Sequence, residues 1–272
     1  MNPPRTTSFG VAAWTLCRRE LVRFYRQRSR VIGVIGSPLV FWFLIGSGLG
    51  KSFRPVGAPE GMSPLEFFFP GTLLLIVLFT AIFSTISIIE DRSEGFLQSV
   101  LVAPVSRAGI VLGKMLGGTL LSLIQVPVVL VLLPLMGVRL GIEALLATAG
   151  TLVVVSFGLT GLGFLMAWRL DSVQGFHALM NLLLMPMWML SGAFFPASGA
   201  PGWLRAVMAA NPLTYALAAL RRSLYLGSSR IEAAGTALPA FGLSLAVSGA
   251  FAALTFAWAV RVAERTSAGD LH

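Results

Sequence analysis

One short stretch of the chain, Gly46–Ser52, carries residue types that could bind a nucleotide phosphate. In the motif G-x-x-x-x-G-K-[ST], backbone amides cradle the phosphates after a strand. If the terminal Gly-Lys-Ser closed this motif, its first glycine would stand at position 45, where the chain has Ile45. We therefore expect no nucleotide site, and we interpret glycines four residues apart as sites of close membrane-helix packing. We apply this interpretation to two pairs, Gly46 with Gly50 and Gly113 with Gly117.

The other reactive side chains do not form a catalytic set. A membrane hydrolase or transferase needs a nucleophile with a base, or a metal site, and an ion-driven transporter needs ionisable groups near the membrane midplane. The long apolar runs have no acid or base between their ends, so the two histidines, His177 and His272, have no acid there to act with. The single Cys17 excludes an internal disulfide and a cysteine-based metal cluster. The sequence predicts no catalytic residue, no metal and no cofactor on this chain.

The composition explains why the chemistry of a soluble enzyme is missing. Of the 272 residues, 56% are hydrophobic and 11% are charged, whereas soluble proteins average about 25% charged residues. The mean hydropathy is +0.84. A net charge of +9 would suggest nucleic acid binding in a soluble protein, but in a membrane protein the position of the basic residues carries the meaning. We expect membrane lipids, and no nucleic acid, as partners.

Six uncharged runs are each long enough to cross a bilayer once, because about 20 apolar residues span its hydrocarbon core as a helix. They predict an all-α integral membrane protein, with residues 1–272 forming one transmembrane domain. The predicted spans are 31–50, 67–89, 115–138, 144–168, 178–195 and 233–260. Two weakly apolar stretches within 196–231, divided by Asn211 and Pro212, are interpreted as external or re-entrant half-helices. A seventh span there would leave the C-terminal arginines outside, against the positive-inside rule.

The residues before the first span predict its orientation and a surface helix. Arginines far outnumber acids there, so both termini are expected in the cytoplasm and the protein in a bacterial-type cytoplasmic membrane. The pattern over 9–30 predicts an amphipathic interface helix. Its apolar face has Trp14, Cys17, Leu21 and Phe24, and its basic face has Arg19, Arg23, Arg26 and Arg30. Two interpretations remain open, an anchor on anionic lipid and a contact with a partner protein.

The longest polar segment predicted on the cytoplasmic side is 90–107, between the second and third spans. Three acids, Glu90, Asp91 and Glu94, crowd the start of a short helix, where the helix dipole favours them, and Pro104 forces its end. One face of this helix is apolar and consists of Phe96, Leu97, Val100 and Leu101. Two interpretations remain open, a loop that rests on lipid and a docking surface. Transport would require a docked protein, because the chain shows no energy source of its own.

Three segments resemble a known family, the membrane subunits of ABC-2 type exporters. Residues 94–98 (EGFLQ) with 101–107 (LVAPVSR) are similar to the family's E-G-T-L-E and L-L-x-[ST]-P-x-[ST]-R around a coupling helix. Residues 190–196 (LSGAFFP) look like the end of its fifth helix. Residues 211–221, with Asn211, Pro212, Tyr215 and Arg221, look like its closing signature N-P-[apolar]-x-[YHRS]-x5-[RQ]. The chain departs from the pattern at Phe96, where Thr is usual, and at Gln98, where an acid is usual.

The resemblance implies an ABC-2 type permease that pairs with a second copy of itself or a close relative. It also implies two P-loop ATPase subunits, which would bind ATP and Mg in place of this chain. The residues implied in ATPase coupling are Glu94, Gly95, Phe96, Leu97, Val100, Leu101, Pro104 and Arg107. The residues implied in an external cap of the exit are Asn211, Pro212, Tyr215 and Arg221.

The nature of the cargo and two other classes of function stay open at this point. Spans with few polar groups suit an amphiphilic or lipophilic cargo, such as a drug, a lipid or a lipid-linked glycan, better than a small ion. The overall pattern looks most like that of drug-resistance permeases. The alternatives are a membrane scaffold or receptor subunit, which predicts no cargo-linked ATP hydrolysis, and a lipid-modifying membrane enzyme, which predicts activity of the purified chain alone.

Overall fold

The computed structural model describes residues 9–26, 28–48, 62–138, 140–194, 197–227 and 238–265, and these residues form helices and connecting turns without a strand. The helices are α1 (Phe9–Arg26), α2 (Arg28–Gly48), α3 (Pro64–Ser84), α4 (Ile86–Ser93), α5 (Phe96–Val102), α6 (Arg107–Leu130), α7 (Ile142–Arg169), α8 (Val173–Trp188), α9 (Gly202–Ala210), α10 (Pro212–Leu224) and α11 (Phe241–Arg265). A π-helical turn, Met189–Ala193, continues α8. The predicted all-α class is confirmed.

Five helical stretches are long and apolar enough to cross a membrane. They are Pro64–Ser93, Arg107–Leu130, Ile142–Arg169, Val173–Ala193 and Phe241–Arg265. At the predicted first span, 31–50, the apolar part of α2 is the shorter Ile35–Gly48, and residues 49 and 50 lie outside the described part of the chain. The first span, and with it the count of six spans, therefore stays a prediction.

The helix at the third predicted span, 115–138, lies earlier in the chain than predicted. Helix α6 begins at Arg107 and ends at Leu130, so it includes Lys114, the charged residue directly before the predicted span. This lysine is buried in an ion pair, and pairing offsets the cost of a bare charge away from water. After α6 the chain turns through a short 3₁₀ helix, Leu133–Met136.

Helix α3 is the centre of the bundle. Its side chains are apolar all round, which is typical of a helix surrounded by others, and it packs against α2, α6, α7 and α10. Its start is well defined, because Pro64 stands in the first turn and the Ser63 hydroxyl accepts a hydrogen bond from the Glu66 N–H at 3.2 Å. At its other end Thr85 connects it to α4, which leads the chain into the polar segment.

Helix α1 packs along α6 through the second glycine pair. A Cβ atom on Gly113 would lie 2.7 Å from the carbonyl oxygen of Ala13, and one on Gly117 would lie 2.8 Å from the Cβ of Glu20. The two helices thus approach more closely than larger side chains would permit. This close contact confirms the packing expected from the spacing of Gly113 and Gly117.

The faces of α1 agree only in part with the predicted amphipathic pattern. Cys17 and Phe24 are buried as expected, but Trp14 is 61% exposed. The buried face also includes the acid Glu20, so contact with α6, and not apolarity alone, decides which side is covered. The predicted helix 9–30 is divided, because α1 ends at Arg26 and α2 begins two positions later.

We expect Gly113→Val to destabilise the protein by about 1–3 kcal/mol, because a branched side chain would displace the backbone of α1. The matched control is Gly150→Val on α7, where an added Cβ meets no atom within 4 Å. Thermal unfolding of the detergent-solubilised chain measures the difference. Equal unfolding midpoints for the two variants would contradict the close packing of α1 on α6.

Candidate functional site

One glycine divides the polar segment 90–107 into two short helices. Helix α4 ends at Ser93, Gly95 has a φ of +73°, and α5 begins at Phe96. Glycine takes this left-handed conformation without the steric cost of a side chain. The acids Glu90 and Asp91 therefore lie on α4, and the prediction that they crowd the first turn of the next helix is wrong.

The end of α5 follows the prediction. Ala103 is extended, as the residue before a proline favours, and Pro104 follows directly after it. Ser106 then caps α6 by accepting a hydrogen bond from the Gly109 N–H at 3.2 Å. Arg107, the first residue of α6, is half-buried. The segment is thus a rigid turn with defined ends.

The apolar face of α5 is directed into the chain. Leu97 is 2% exposed, Leu101 is also buried, and both belong to the hydrophobic core, against which Phe96 and Val100 pack while partly exposed. The exposed side of this turn consists of Glu94, Ser99, Val102 and Pro104, of which Val102 is 73% exposed. The two leucines therefore neither rest on lipid nor remain free to dock.

Beside α5, five charged side chains form what we term the α1 charge cluster: Arg19, Glu20, Arg23, Asp91 and Lys114. The carboxylate of Asp91, which is 0% exposed, lies at its centre. Arg19 donates two hydrogen bonds to it, at 2.8 and 2.6 Å, and Arg23 donates one at 2.7 Å. Lys114 donates to Asp91 as well, and to the Oε1 of Glu20 at 2.6 Å. The cluster thus joins α1, α4 and α6.

Two arginines of the cluster also reach the turn between α4 and α5. The Cζ of Arg19 lies 3.7 Å from the centre of the Phe96 ring, which is the geometry of a cation–π contact. The Nη2 of Arg23 lies 2.8 Å from the Oε2 of Glu90 and 3.3 Å from the Oε1 of Glu94. Its hydrogen bond to Asp91 raises the pKa of Arg19 above the ordinary value, so the charge is retained.

The sequence analysis missed this cluster, because it assigned the arginines of α1 to lipid or to a partner. The one available signal was matched spacing, since Arg19 and Arg23 are four residues apart, as are Glu90 and Glu94. Nothing in a single sequence shows that the two helices are neighbours. In the described part of the chain, no group of three His, Cys, Asp or Glu side chains is arranged to hold a metal ion.

A second set of contacts holds α4 from its other side. The Nη1 of Arg92 donates to the Oδ1 of Asp171 at 2.9 Å and to the carbonyl oxygen of Leu170 at 3.2 Å, and its Nη2 donates to the carbonyl oxygen of Trp168. These acceptors lie at or just beyond the end of α7. The last turn of α4 is therefore fixed between α1 and α7.

The signature residues Asn211, Pro212 and Tyr215 lie where α9 meets α10. The Oδ1 of Asn211 accepts a hydrogen bond from the N–H of Leu213 at 3.0 Å and caps α10, while its Nδ2 donates to the carbonyl oxygen of Met187 at 2.6 Å. Pro212 is the first residue of α10, where a missing N–H costs nothing. The hydroxyl of Tyr215 donates to the carbonyl oxygen of Ala209 at 3.0 Å.

Arg221 contacts the irregular end of α8. Its Nη2 donates to the carbonyl oxygen of Gly192 at 3.1 Å, and its Cζ lies 4.8 Å from the centre of the Phe67 ring. Gly192 has a φ of +92° and lies at the end of the π-helical turn, where the last carbonyls of a helix have no intrahelical donor. Burial lowers the pKa of Arg221 to about 10, which leaves it a cation at neutral pH. The four signature residues thus tie α8, α9 and α10 together.

A cavity of about 290 Å³ lies between α2, α3 and α8. Its wall is largely apolar and includes the aromatic rings of Phe41, Phe79 and Trp188, with Ser37 and Asn181 as polar groups. Asn181 is exposed on α8. The cavity thus combines an apolar wall with a few hydrogen-bonding groups, as sites for amphiphilic small molecules do.

Comparison with known proteins finds one matching family model and several proteins of similar sequence. The model of the family described as ABC-2 type transporter matches residues 11–225, from α1 through α10. A Cyanophora paradoxa protein described as a transport permease, ycf38, is 31% identical over 79% of this chain and 74% of its own length. The daunorubicin resistance ABC transporter permease protein DrrB1 of Streptomyces coeruleorubidus is 24% identical over 82% and 78%. Nodulation protein J of Rhizobium meliloti is 26% identical over 82% and 83%.

We expect Asp91→Asn to cost about 3–5 kcal/mol of stability, because Arg19, Arg23 and Lys114 would lose their shared counter-charge. The matched control is Asp171→Asn, which removes an acid that is 91% exposed and paired with Arg92, at an expected cost of about 0–1 kcal/mol. Thermal unfolding in detergent distinguishes the two. If the two variants unfold at the same midpoint temperature, the cluster does not hold α1, α4 and α6 in place.

Proposed function

The chain belongs to the ABC-2 type transporter permease family, and on this premise we propose that it is the membrane subunit of an ATP-driven exporter. Family membership and the apolar helices make it a multi-pass membrane protein and a transport subunit, and they imply association with an ABC ATPase. The observation that carries the proposal is α5, a short helix braced by charges behind it and bearing exposed Val102 on its outer side.

The energy for transport comes from a separate protein in this proposal. Two P-loop ATPase subunits bind ATP and Mg and contact the turn from Glu94 to Pro104. The exposed residues of this turn, Glu94, Ser99, Val102 and Pro104, make the contact. The remaining coupling residues support it from within the chain: Gly95 permits the reversal, Phe96, Leu97, Val100 and Leu101 seat α5, and Arg107 begins α6.

The cargo is an amphiphilic or lipophilic molecule, such as a drug, a lipid or a lipid-linked glycan, carried outward. The apolar wall and two polar groups of the cavity between α2, α3 and α8 support this class of cargo. Similarity to a daunorubicin resistance permease favours a drug. Asn181 on α8 is exposed, and an amide that faced lipid would lack hydrogen-bond partners. Its exposure therefore supports a second copy of the permease that closes the open side of the cavity.

We also propose the arrangement of the chain in a bacterial-type cytoplasmic membrane. The first of six spans begins in α2, and both termini are cytoplasmic, as the arginine-rich start favours. Residues 1–272 form one ABC-2 type transmembrane domain. Helices α9 and α10 lie on the external side, and burial of α10 against α3, α7 and α11 favours its re-entry into the bundle.

Val102→Asp should weaken binding of the ATPase by at least about tenfold, because an unpaired carboxylate at a protein interface costs more than about 1.4 kcal/mol. Affinity purification from the native membrane, followed by mass spectrometry, identifies the ATPase and measures its amount per permease. The control is Ser172→Asp, since Ser172 is an exposed N-cap of α8 and aspartate caps equally well. Full ATPase binding by Val102→Asp would show that α5 is not the contact.

The same purification separates the proposed function from its alternatives. A stoichiometric ATPase with cargo-stimulated hydrolysis supports an exporter, and an ATPase whose hydrolysis no cargo changes supports a scaffold. Enzymatic activity of the chain alone would support a lipid-modifying enzyme.

The proposed orientation predicts opposite labelling of two exposed positions. In a Cys17→Ala background, Ser93→Cys at the exposed end of α4, outside the proposed ATPase contact, should react with a membrane-impermeant maleimide only in inside-out vesicles. Ala206→Cys on α9 should react only in right-side-out vesicles, because the membrane separates the two sites. Labelling of both positions from one side would contradict the six-span arrangement.

A further inference from the structure

We propose that the ends of α7 and α11 form a binding site for an anionic phospholipid of the cytoplasmic leaflet. The site consists of exposed arginines around an exposed tryptophan, and we term it the α7–α11 basic site: Arg169, Trp258, Arg261 and Arg265. Only the choice of leaflet rests on the proposed function, under which this end of the molecule faces the cytoplasm.

Two glycines of α7 show how it is aligned with α11. A Cβ atom on Gly158 would lie 3.2 Å from the Cα of Ala252, and one on Gly161 would lie 2.5 Å from the Oγ1 of Thr255. The contact advances by the same number of residues on both helices, so the helices run in parallel. Arg169, the last residue of α7, is therefore level with the part of α11 that carries the other two arginines.

The side chain of Arg169 reaches back to the tryptophan ring. Its Cζ lies 5.9 Å from the centre of the Trp258 ring, within the range of a cation–π contact. Side chains on a helix are directed toward its N-terminus, which explains why an arginine at the end of α7 meets a ring that lies earlier on α11. Trp258 is 55% exposed, and a tryptophan near the end of an apolar helix marks the level of the lipid headgroups.

The two arginines of α11 continue the side that Trp258 begins. Arg261 and Arg265 follow the ring by one and two helical turns, which places them about 5 and 10 Å nearer the cytoplasmic end. The acid Glu264 lies about 120° around the helix from the ring, so it does not share this side. Leu254 precedes the ring by one turn and is 69% exposed. One strip of α11 thus combines cations at the headgroup level with apolar side chains at the level of the acyl chains.

The three arginines of the site have no acid partner among the described residues. Asp171, which is close to Arg169 in the chain, is paired with Arg92 instead. The arginines of α10 show the contrast, because Arg221 and Arg222 both donate to backbone carbonyl oxygens. Guanidinium groups bind phosphate oxygens at two points, so unpaired arginines at the headgroup level favour a phosphate as their partner.

The apolar part of the site favours a phospholipid over a soluble phosphate. A soluble phosphate would contact the arginines alone, whereas a phospholipid also places its acyl chains along Trp258 and Leu254. A cytoplasmic protein could reach Arg265, but the ring lies deeper in the membrane than Arg261 and Arg265. Because only cations face the headgroup on this side of the helices, an anionic lipid is favoured over a zwitterionic one.

A bound lipid would support α7 at the place where α7 holds α4. Trp168 directly precedes Arg169, and its carbonyl oxygen accepts a hydrogen bond from the Nη2 of Arg92. The ring of Trp168 stacks on Phe164, with the ring centres 5.1 Å apart. A phosphate shared by Arg169 and the arginines of α11 would link the two helix ends, so we expect the lipid to stabilise the folded chain.

Native mass spectrometry of the purified full-length chain tests the site. The chain in mild detergent is titrated with dioleoyl phosphatidylglycerol, with dioleoyl phosphatidylcholine, and with glycerol phosphate, which has no acyl chains. We expect the anionic lipid to bind at least about tenfold more tightly than the zwitterionic one, because each arginine contributes about fivefold beside an anionic group. It should also raise the thermal unfolding midpoint, and glycerol phosphate should not.

Variants of the exposed side chains locate the binding. Arg169→Gln and Arg261→Gln should each weaken phosphatidylglycerol binding about fivefold, and Trp258→Leu about two- to fivefold. The matched control is Arg18→Gln on α1, which removes the same charge from an exposed arginine at the same end of the molecule and should leave binding unchanged. Without lipid, all four variants should unfold at the wild-type midpoint, which separates loss of the site from loss of the fold.

Four results would overturn the proposal. Equal binding of the two lipids would remove the selection for a negative headgroup, and equally tight binding of glycerol phosphate would indicate a soluble ligand. An equal loss in Arg18→Gln and Arg169→Gln would show that net charge alone attracts the lipid. Loss of the ATPase from the Arg261→Gln complex, with lipid binding unchanged, would assign the arginine to a protein contact.

The lipid titrations use the permease chain alone, so their outcome does not depend on the proposed exporter function. Failure of that function would be seen as the absence of an ATPase from the wild-type chain purified from its native membrane. Phosphatidylglycerol must still bind in that case, and Arg169→Gln must still weaken its binding.

Discussion

The buried carboxylate of Asp91 is the interaction on which one end of this molecule depends. It faces cations from two helices, Arg19 and Arg23 on α1 and Lys114 on α6. A charge that is fully removed from water is tolerated only when it is paired and hydrogen-bonded. The position of α1, the angle of α4 and the place where α5 begins are therefore linked, and none can change without exposing or unpairing a charge.

At the opposite end of the bundle, side chains donate hydrogen bonds to backbone carbonyl oxygens, which carry no charge. Asn211 and Arg221 donate to carbonyl oxygens at the irregular end of α8, and Trp188 in α8 donates to the carbonyl of Gly71 in α3 at 2.8 Å. Carbonyls at the end of a helix have no intrahelical donor and need another one, most of all away from water. Asn211 and Arg221, two residues of the family signature, thus have a structural role at this end. The cavity between α2, α3 and α8 lies beside it, because Trp188 also lines the cavity.

The positions of the helices follow closely from local sequence, but their surroundings do not. The prediction that Asn211 and Pro212 separate two helices is confirmed, and so is the prediction that Pro104 ends α5. Whether α10 lies outside or inside the bundle could not be predicted, because the partial burial of its two arginines depends on acceptors elsewhere in the chain. Arg221 bonds the carbonyl of Gly192, and Arg222 that of Pro239 at 2.8 Å.

The sequence by itself determined the all-α class, the apolar helices and the family, since these depend on composition, run length and short motifs that are local in the chain. Only the tertiary structure decided which faces are covered. The apolar side of α5 is used within the chain, and two arginines of the basic side of α1, Arg19 and Arg23, bind acids of the same chain. The physical reason is separation, because Arg19 and Asp91 are 72 residues apart, and the attraction between them is defined only once the helices that carry them are packed together.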